Sequence, residues 1–176
     1  RPVSGIMVYA KNPKAAASLS TSLQQGKIEK WYQAVICGKP VDNVEKYVDY
    51  LLKDEKENTS RIVDMGIKGG KRAELICRAL ETKPVEPYGE LTLAEIELLT
   101  GRHHQIRVQM AGISHPVYGD MRYGGALAQK GQLALWAYSL SFTHPVTKER
   151  LRFMAYPPAE ETPWKAFDVA SAVEIK

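Results

Sequence analysis

Five side chains that donate hydrogen bonds fall within six consecutive positions of the sequence: Arg102, His103, His104, Gln105 and Arg107. A Thr-Gly pair precedes the cluster, and an apolar run ending near Gly112 follows it. This order predicts a helix whose first turn holds residues 102–105. Backbone N–H groups are unpaired in a first helical turn, and the helix dipole favours negative charge there. The pattern therefore indicates an anion site that suits a phosphate or a carboxylate.

A solvated helix start with ordinary surface charges explains this pattern equally well when it is taken alone. A metal site is disfavoured, because His103 and His104 are adjacent, point in different directions and have no third ligand at a typical spacing. His115 and His144 each precede a proline and are interpreted as turn residues. A Ser-His-Asp system has no support beyond the presence of those residue types.

Composition is typical of one globular domain that spans residues 1–176. Hydrophobic residues make up 44% and charged residues 25% of the chain. The 24 Lys and Arg against 20 Asp and Glu give a net charge of +4. This charge slightly favours a polyanionic partner, but many proteins of similar charge bind none.

Cys37 and Cys77 are expected to be reduced core residues of a cytoplasmic protein. No signal peptide is visible, and no apolar run approaches the ~20 residues that span a bilayer.

Hydrophobic patterning predicts one clear helix at 12–26, with Asn12 as its N-cap, Pro13 in its first turn and Gly26 at its end. The segment 44–52 fits either a helix or a strand. The glycine-rich stretch 66–71 resembles a phosphate loop only superficially, and we interpret it as a hairpin turn.

Strands are predicted in five further segments: 5–10, 28–38, 90–99, 132–142 and 150–157. A phase slip near Ala94 indicates a bulge. Loops are expected at 53–60 and 113–125, and a short terminal helix after 157. These elements predict an α+β fold, with a mixed, mainly antiparallel β-sheet flanked by a few helices.

Three blocks of sequence match known motifs in the same order along the chain. "EKWYQAVICG" at 29–38 is similar to E-K-x-Y-x-A-x-V-x-G. "LLTGRHHQIRVQMAGISHPVYGDMRYG" at 98–124 resembles T-G-R-x-H-Q-I-R followed by G-H-P and G-D-x-x-Y-G. "QLALWAYSLSFTHP" at 132–145 resembles R-L-x-L-H-A-x-x-L-x-F-x-H-P. With these three blocks the chain resembles the RluA-type family of RNA pseudouridine synthases.

The resemblance implies an isomerase that breaks the N1–C1′ bond of a uridine in ribosomal or transfer RNA and rejoins the base through C5. It implies no metal and no organic cofactor, no membrane partner, and a cytoplasmic monomer. The family's nucleophile is the Asp of H-R-L-D-x-x-T-S-G, which matches here only as "RPVSG" at 1–5. The Asp would immediately precede Arg1, so the catalytic domain is expected to lack its N-terminal part and the chain alone to be inactive.

By the same resemblance, Arg102 holds the nucleophilic carboxylate in its ionised form, because a neighbouring guanidinium lowers a carboxyl pKa. Tyr32 is the pocket tyrosine that stacks on the target uracil near the C5 proton, although a plain core tyrosine is the alternative. Leu133 and Leu135 match positions that line the uracil pocket in part, and both are equally suited to the core.

Candidate RNA contacts by resemblance are Lys30, His104, Gln105, Arg107 and Arg122. The alternative for Gln105 is a structural role, and the alternative for Arg107 is an internal ion pair. Lys30, Arg107 and Arg122 are equally open to interpretation as solvated surface residues. The match departs from the family at Val3, Gln109, Gln132 and Trp136, which leaves the choice of RNA open. A non-catalytic RNA-binding domain on the same scaffold is the alternative function, and it predicts a residue other than Asp before Arg1.

Overall fold

A computed structural model of the chain describes residues 3–172. Within that range it contains two α-helices, eight β-strands and two 3-10 turns. The helices are α1 (Pro13–Gln24) and α2 (Gln105–Gly112). The strands are β1 (Ser4–Gly5), β2 (Glu29–Cys37), β3 (Val44–Asp54), β4 (Thr59–Val63), β5 (Lys71–Pro84), β6 (Glu90–Leu98), β7 (Leu135–Thr143) and β8 (Arg150–Met154). The 3-10 turns are Gly125–Leu127 and Trp164–Ala166.

All eight described strands form one sheet in the order β1-β7-β2-β6-β5-β3-β4, with β8 also paired to β7. The β1–β7 pair is parallel. The other pairs are antiparallel. The predicted α+β class, with a mixed and mainly antiparallel sheet, is therefore confirmed.

The central strands carry the core because their apolar residues are buried on both faces. Ala34, Val35 and Ile36 of β2 have no exposed surface, and Leu93 and Ile96 of the adjacent β6 are equally buried. Helix α2 and the segment that contains the Trp164–Ala166 turn complete this cluster. The short terminal helix predicted after residue 157 is thus present as that turn.

The clear helix is confirmed with its predicted cap. Asn12 Oδ1 accepts a hydrogen bond of 2.8 Å from Ala15 N, and Pro13 begins the helix. Helix α1 has no fully buried residue. It contacts the protein through Leu19, which packs on a small cluster formed by Ile28 and strand β7.

The strand predicted at 5–10 is wrong beyond Gly5. Strand β1 pairs with β7 only at Trp136 and Ala137. From residue 139 onward the same edge of β7 is occupied by β8. The segment that follows β1 therefore has no edge to pair with, and Met7 and Tyr9 are left 70% and 77% exposed.

The segment 44–52, which fitted either element, belongs to a strand that extends to Asp54. The loop predicted at 53–60 is correspondingly shorter. The hairpin turn predicted at 66–71 is wrong, because β4 and β5 do not pair with each other and both pair with β3. The bulge predicted near Ala94 lies in the partner strand β5, between Ala79 and Glu81.

Helix α2 begins later than predicted. Arg102 and His103 lie in a turn, and His104 is the N-cap with left-handed backbone angles (φ 53°, ψ 24°). Histidine is among the few residue types that adopt this conformation at modest cost. Every residue from Gln105 to Met110 is buried, so this part of the helix has no solvent-exposed face.

Both cysteines are buried and unpaired, as expected. Within residues 3–172 no helix is long and apolar enough to cross a membrane.

Candidate active site

A cleft of about 770 Å³ lies beside β1. Its walls come from the β1 segment, from β2 and β7, from the β3–β4 hairpin and from the turn before α2. The lining residues are Val3, Ser4, Ile6, Met7, Tyr32, Lys53, Asn58, His103, His104, Arg107, Arg122 and Ala137. This lining contains three permanently cationic side chains and no carboxylate, so the cleft suits an anionic occupant.

Three strands place the start of the chain next to Tyr32. Gly5 of β1 is in register with Ala137 of β7, and Ala137 is in register with Tyr32 of β2. Two strand spacings of about 4.8 Å therefore separate Gly5 from Tyr32. Gly5 permits this arrangement, because its φ is +113° and an added Cβ would lie 2.3 Å from Ala137 O.

Tyr32 is partly buried and lies where the β2–β7 register shifts. Burial raises the pKa of its phenol, so Tyr32 is neutral at physiological pH. Within residues 3–172 the phenol has no hydrogen-bond partner, and its ring forms part of the cleft wall.

Gln105 holds the turn that precedes α2. Its Oε1 accepts hydrogen bonds from Thr100 Oγ1 at 2.8 Å and from Arg102 N at 2.9 Å. Its Nε2 donates to Glu74 O at 3.0 Å. Gln105 is 3% exposed, so the geometry agrees with the structural alternative for this residue.

Arg102 is exposed and is not among the described residues that line the cleft. Its Nε donates to the Arg72 carbonyl at 2.8 Å, so the guanidinium is held by strand β5. Arg102 is near Lys30, whose ammonium lies beside Gly101. Burial, together with the charge of Arg102, lowers the pKa of Lys30.

Lys30 has no hydrogen-bond or ion-pair partner in the described part of the chain. It lines a second groove, next to the cleft, that shares Tyr32 and Ile6 with it. Two neighbouring cations without a carboxylate partner are unfavourable in the free protein, and an anion bound there would relieve their repulsion.

Arg107 forms a buried ion pair with Asp120. Its Nε and Nη2 each donate to the carboxylate at 2.7 Å, and the two side chains are 8% and 0% exposed. Burial raises the pKa of Asp120, but the hydrogen bonds and charge of Arg107 and the N–H groups of Tyr123 and Arg122 outweigh it and hold that pKa below its usual value. Of the two alternatives for Arg107, the internal ion pair is the one that the structure contains.

Arg122 connects the loop after α2 to the β3–β4 hairpin. Its Nη1 donates to the carbonyls of Glu57 and Asn58 at 3.0 and 2.9 Å. These contacts hold the tip of the hairpin over the cleft, where Lys53 and Asn58 line the wall.

His103 and His104 form a stacked pair, with ring centroids 3.8 Å apart and planes 26° apart. His103 Nδ1 is 2.9 Å from Ser60 Oγ, and His104 Nδ1 is 2.8 Å from Tyr123 Oη. Burial, followed by the charge of Arg107, lowers the pKa of His104 to about 4. Burial, followed by the charge of Lys53, lowers the pKa of His103 as well. Both rings are therefore neutral at physiological pH.

The two leucines predicted to line the pocket do not border the cleft. Leu133 and Leu135 are 6% and 4% exposed and belong to the main core cluster. Their alternative interpretation as core residues matches the geometry, because alternation along a strand cannot tell a pocket wall from a buried face.

Sequence patterns did not point to Lys53, Asn58, Ser60 or Tyr123 as neighbours of the candidate site. The first three belong to the β3–β4 hairpin, which reaches the cleft only through long-range packing. Tyr123 lies within the G-D-x-x-Y-G match, so that block could have been taken as a signal for it.

Arg1 and Pro2, matched to the variable positions after the family's Asp, lie outside the described residues. Within residues 3–172, no three His, Cys, Asp or Glu side chains are grouped to hold a metal ion.

Comparison with known proteins identifies the family of the chain. A family model described as RNA pseudouridylate synthase matches residues 1–112. The chain is 33% identical over 162 residues to the uncharacterized RNA pseudouridine synthase YjbO of Bacillus subtilis, covering 91% of this chain and 54% of that protein. It is 34% identical over 164 residues to ribosomal large subunit pseudouridine synthase C of Escherichia coli, covering 88% and 50%. The chain thus spans about half the length of these curated relatives.

A solved structure shares the fold. Human RNA pseudouridylate synthase domain containing 1 superposes with a TM-score of 0.72 at 24% identity, over 89% of this chain and 65% of that one. The family model covers more than half of the chain, and it includes the β2 block and all of the donor cluster. The chain belongs to the RluA-type family of RNA pseudouridine synthases.

Proposed function

We propose that this domain carries out the isomerisation of uridine to pseudouridine in structured RNA, and that the RNA is ribosomal. One observation carries the proposal: the register of β1, β7 and β2 brings Val3 and Ser4 to the wall of a basic cleft that contains Tyr32. The curated relatives include ribosomal large subunit pseudouridine synthases, which favours ribosomal over transfer RNA.

In the full-length protein, the residue before Arg1 is the nucleophilic Asp. This Asp precedes Val3 by three residues. An extended chain of that length spans at most about 10 Å, so the Asp lies within about 10 Å of Val3 in the cleft wall. Lys30 and Arg102 are two neighbouring cations that lack a described carboxylate partner. A carboxylate that enters between the cleft and this pair would be kept ionised by them.

Tyr32 stacks on the target uracil. A neutral phenol matches an uncharged base, and an aromatic face is a common platform for a base that has been removed from its helix. The reaction then breaks the N1–C1′ bond, turns the base, joins C5 to C1′ and releases the C5 proton to solvent, while N1 takes up a proton in exchange. No step in this sequence requires a metal or an organic cofactor.

The RNA backbone is held by the cations around the cleft. Lys30, Lys53 and Arg122 have ammonium or guanidinium groups that can contact phosphates. Arg107 contributes positive potential from within its ion pair, and Gln105 shapes the turn. Residues 1–176 form part of a single catalytic domain, which acts as a cytoplasmic monomer.

The test is to extend the chain upstream through its own sequence and incubate it with unmodified large-subunit ribosomal RNA. We expect pseudouridine at one or a few defined uridines, mapped by carbodiimide labelling and primer extension. Binding without any new pseudouridine would favour the alternative, an RNA-binding domain without chemistry. Modification of transfer RNA alone would contradict the ribosomal assignment.

A further inference from the structure

The hydrogen bonds of Tyr123 determine which nitrogen of His104 is protonated. Ser60 N can only donate, so Tyr123 Oη accepts its hydrogen bond at 3.0 Å. Within residues 3–172 the other hydrogen-bond partner of this phenol is His104 Nδ1 at 2.8 Å. The phenol proton is satisfied only if Tyr123 donates to that nitrogen. His104 Nδ1 is therefore unprotonated, and a neutral ring carries its proton on Nε2.

His103 follows the same pattern on the other side of Ser60. In the described part of the chain, the only side-chain partner of the Ser60 hydroxyl is His103 Nδ1 at 2.9 Å. Donation from the hydroxyl to Nδ1 leaves the proton of His103 on Nε2 as well. Ser60 is 6% exposed, so water has little access to replace either contact.

The charges that face the two rings keep them neutral. Lys53, Arg107 and Arg122 approach from the hairpin, from α2 and from the following loop, and each disfavours a protonated imidazole. Asp120 opposes them, but its carboxylate is already paired with Arg107. Glu55 also opposes them, at the exposed tip of the hairpin.

Neither Nε2 atom has a partner in the described part of the chain, although both residues line the cleft. The two rings are stacked, with Nδ1 of His103 held by Ser60 and Nδ1 of His104 held by Tyr123, so each ring offers one Nε2–H without a described partner. Such a pair fits two acceptor oxygens of one ligand, as in a phosphate or in the carbonyl-bearing edge of uracil.

We propose that His103 and His104 form a paired donor site, in which Ser60 and Tyr123 hold Nδ1 and both Nε2–H groups bind acceptor oxygens of one RNA nucleotide. This inference rests on the proposed function for its ligand. Ser60 and Tyr123 are positioning residues, because they act on the ligand only through the imidazoles.

The tautomers can be measured without any RNA. Long-range ¹H–¹⁵N correlation spectra of the chain should show both imidazoles as neutral Nε2–H forms. Tyr123→Phe should convert His104 to a mixture of tautomers and leave His103 unchanged, and Ser60→Ala should do the reverse. A protonated Nδ1 on both rings of the wild type would overturn the proposal.

The donors are tested by filter binding to an unmodified large-subunit ribosomal RNA transcript. His103→Phe and His104→Phe keep an aromatic ring but remove the donor, and each should weaken binding by about 3- to 10-fold. His103→Gln and His104→Gln restore an N–H near the Nε2 position and should recover most of that loss. His144→Phe, in the turn before β8, is the matched control and should bind as the wild type does.

The binding results distinguish a failure of the donor pair from a failure of the proposed function. If the wild type binds the transcript and both Phe variants bind equally well, the donor pair is refuted and the proposed function stands. If the wild type does not bind RNA, the proposed function fails, and the ligand of the donor pair fails with it. Titration with inorganic phosphate and with uridine distinguishes the two kinds of acceptor, by which of them shifts the Nε2–H signals.

Discussion

The guanidinium of Arg107 and the carboxylate of Asp120 form two hydrogen bonds of 2.7 Å each, and both side chains are buried. Asp120 Oδ1 also accepts from the N–H groups of Arg122 and Tyr123, at 3.1 Å each. Tyr123 packs over Arg107, with the guanidinium carbon 4.9 Å from the ring centroid. This single ion pair therefore connects helix α2 to the loop that carries Arg122 and Tyr123 to the cleft.

Asp120→Asn leaves the Arg107 charge buried without a counter-ion. We predict a loss of about 3 kcal/mol in the free energy of unfolding, measured by urea denaturation. Glu55→Gln is the matched control, because it removes one member of the exposed Lys53–Glu55 pair, whose side chains are 38% and 79% exposed. The control should change stability by less than about 1 kcal/mol. Equal losses of unfolding free energy in the two variants would show that the buried ion pair stabilises the protein no more than the exposed pair does.

The same ion pair predicts an acid-sensitive contribution to stability. The pKa of Asp120 is lower in the folded protein than the usual value of about 3.9. Its contribution is thus fully present above that value and is lost as the pH falls through the folded-state pKa. The difference in unfolding free energy between wild type and Asp120→Asn should shrink as the pH falls below about 4. A difference that is constant between neutral and acidic pH would contradict this assignment.

Lys30→Met should stabilise the protein and weaken RNA binding. The substitution removes a partly buried charge that has no described partner and that is repelled by Arg102. We expect a gain of about 1 kcal/mol in unfolding free energy. The slope of log K for RNA binding against log salt concentration should fall by about one, as expected when one phosphate contact is lost. Lys14→Met, on the exposed surface of α1, should change neither quantity. A Lys30→Met variant that binds RNA with the wild-type salt dependence would remove Lys30 from the interface.

Tyr32 is predicted to act through its ring in binding. Tyr32→Ala should weaken RNA binding by about 1–3 kcal/mol, the range for one stacked base, and Tyr32→Phe should bind nearly as the wild type does. In the extended chain, a turnover defect in Tyr32→Phe despite normal binding would assign the phenol to proton transfer. Fluorescence-detected titration and melting temperature, measured together, separate a binding loss from a folding loss. Normal binding by a folded Tyr32→Ala variant would exclude stacking.

Local sequence patterns were sufficient to predict the elements that depend mainly on their own residues. The Asn12 cap and Pro13 define the start of α1, and the apolar residues of β2 and β6, buried on both faces, define the centre of the sheet. The strand predicted at 5–10 failed because β8 competes for the same edge of β7, which no local pattern reveals.

The candidate site was predictable in its composition but less so in its geometry. The sequence placed Arg102 inside the first helical turn, whereas the left-handed His104 and the hydrogen bonds of Gln105 keep it in the preceding turn. Leu133 and Leu135 could not be assigned from pattern alone, because pocket and core positions have the same polarity. The contacts of Ser60 and Tyr123 with the histidines join residues that are 43 and 19 positions apart, so they depend on the folded hairpin.

Tritium release from RNA labelled at C5 of uridine tests the isomerase activity most directly. The chain is extended upstream through its own sequence and compared with the same protein that carries Arg102→Ala. We predict release by the extended wild type that collapses in the variant, while both proteins melt at similar temperatures. Absence of release from bulk unmodified ribosomal and transfer RNA by the folded, extended wild type would contradict the isomerase assignment.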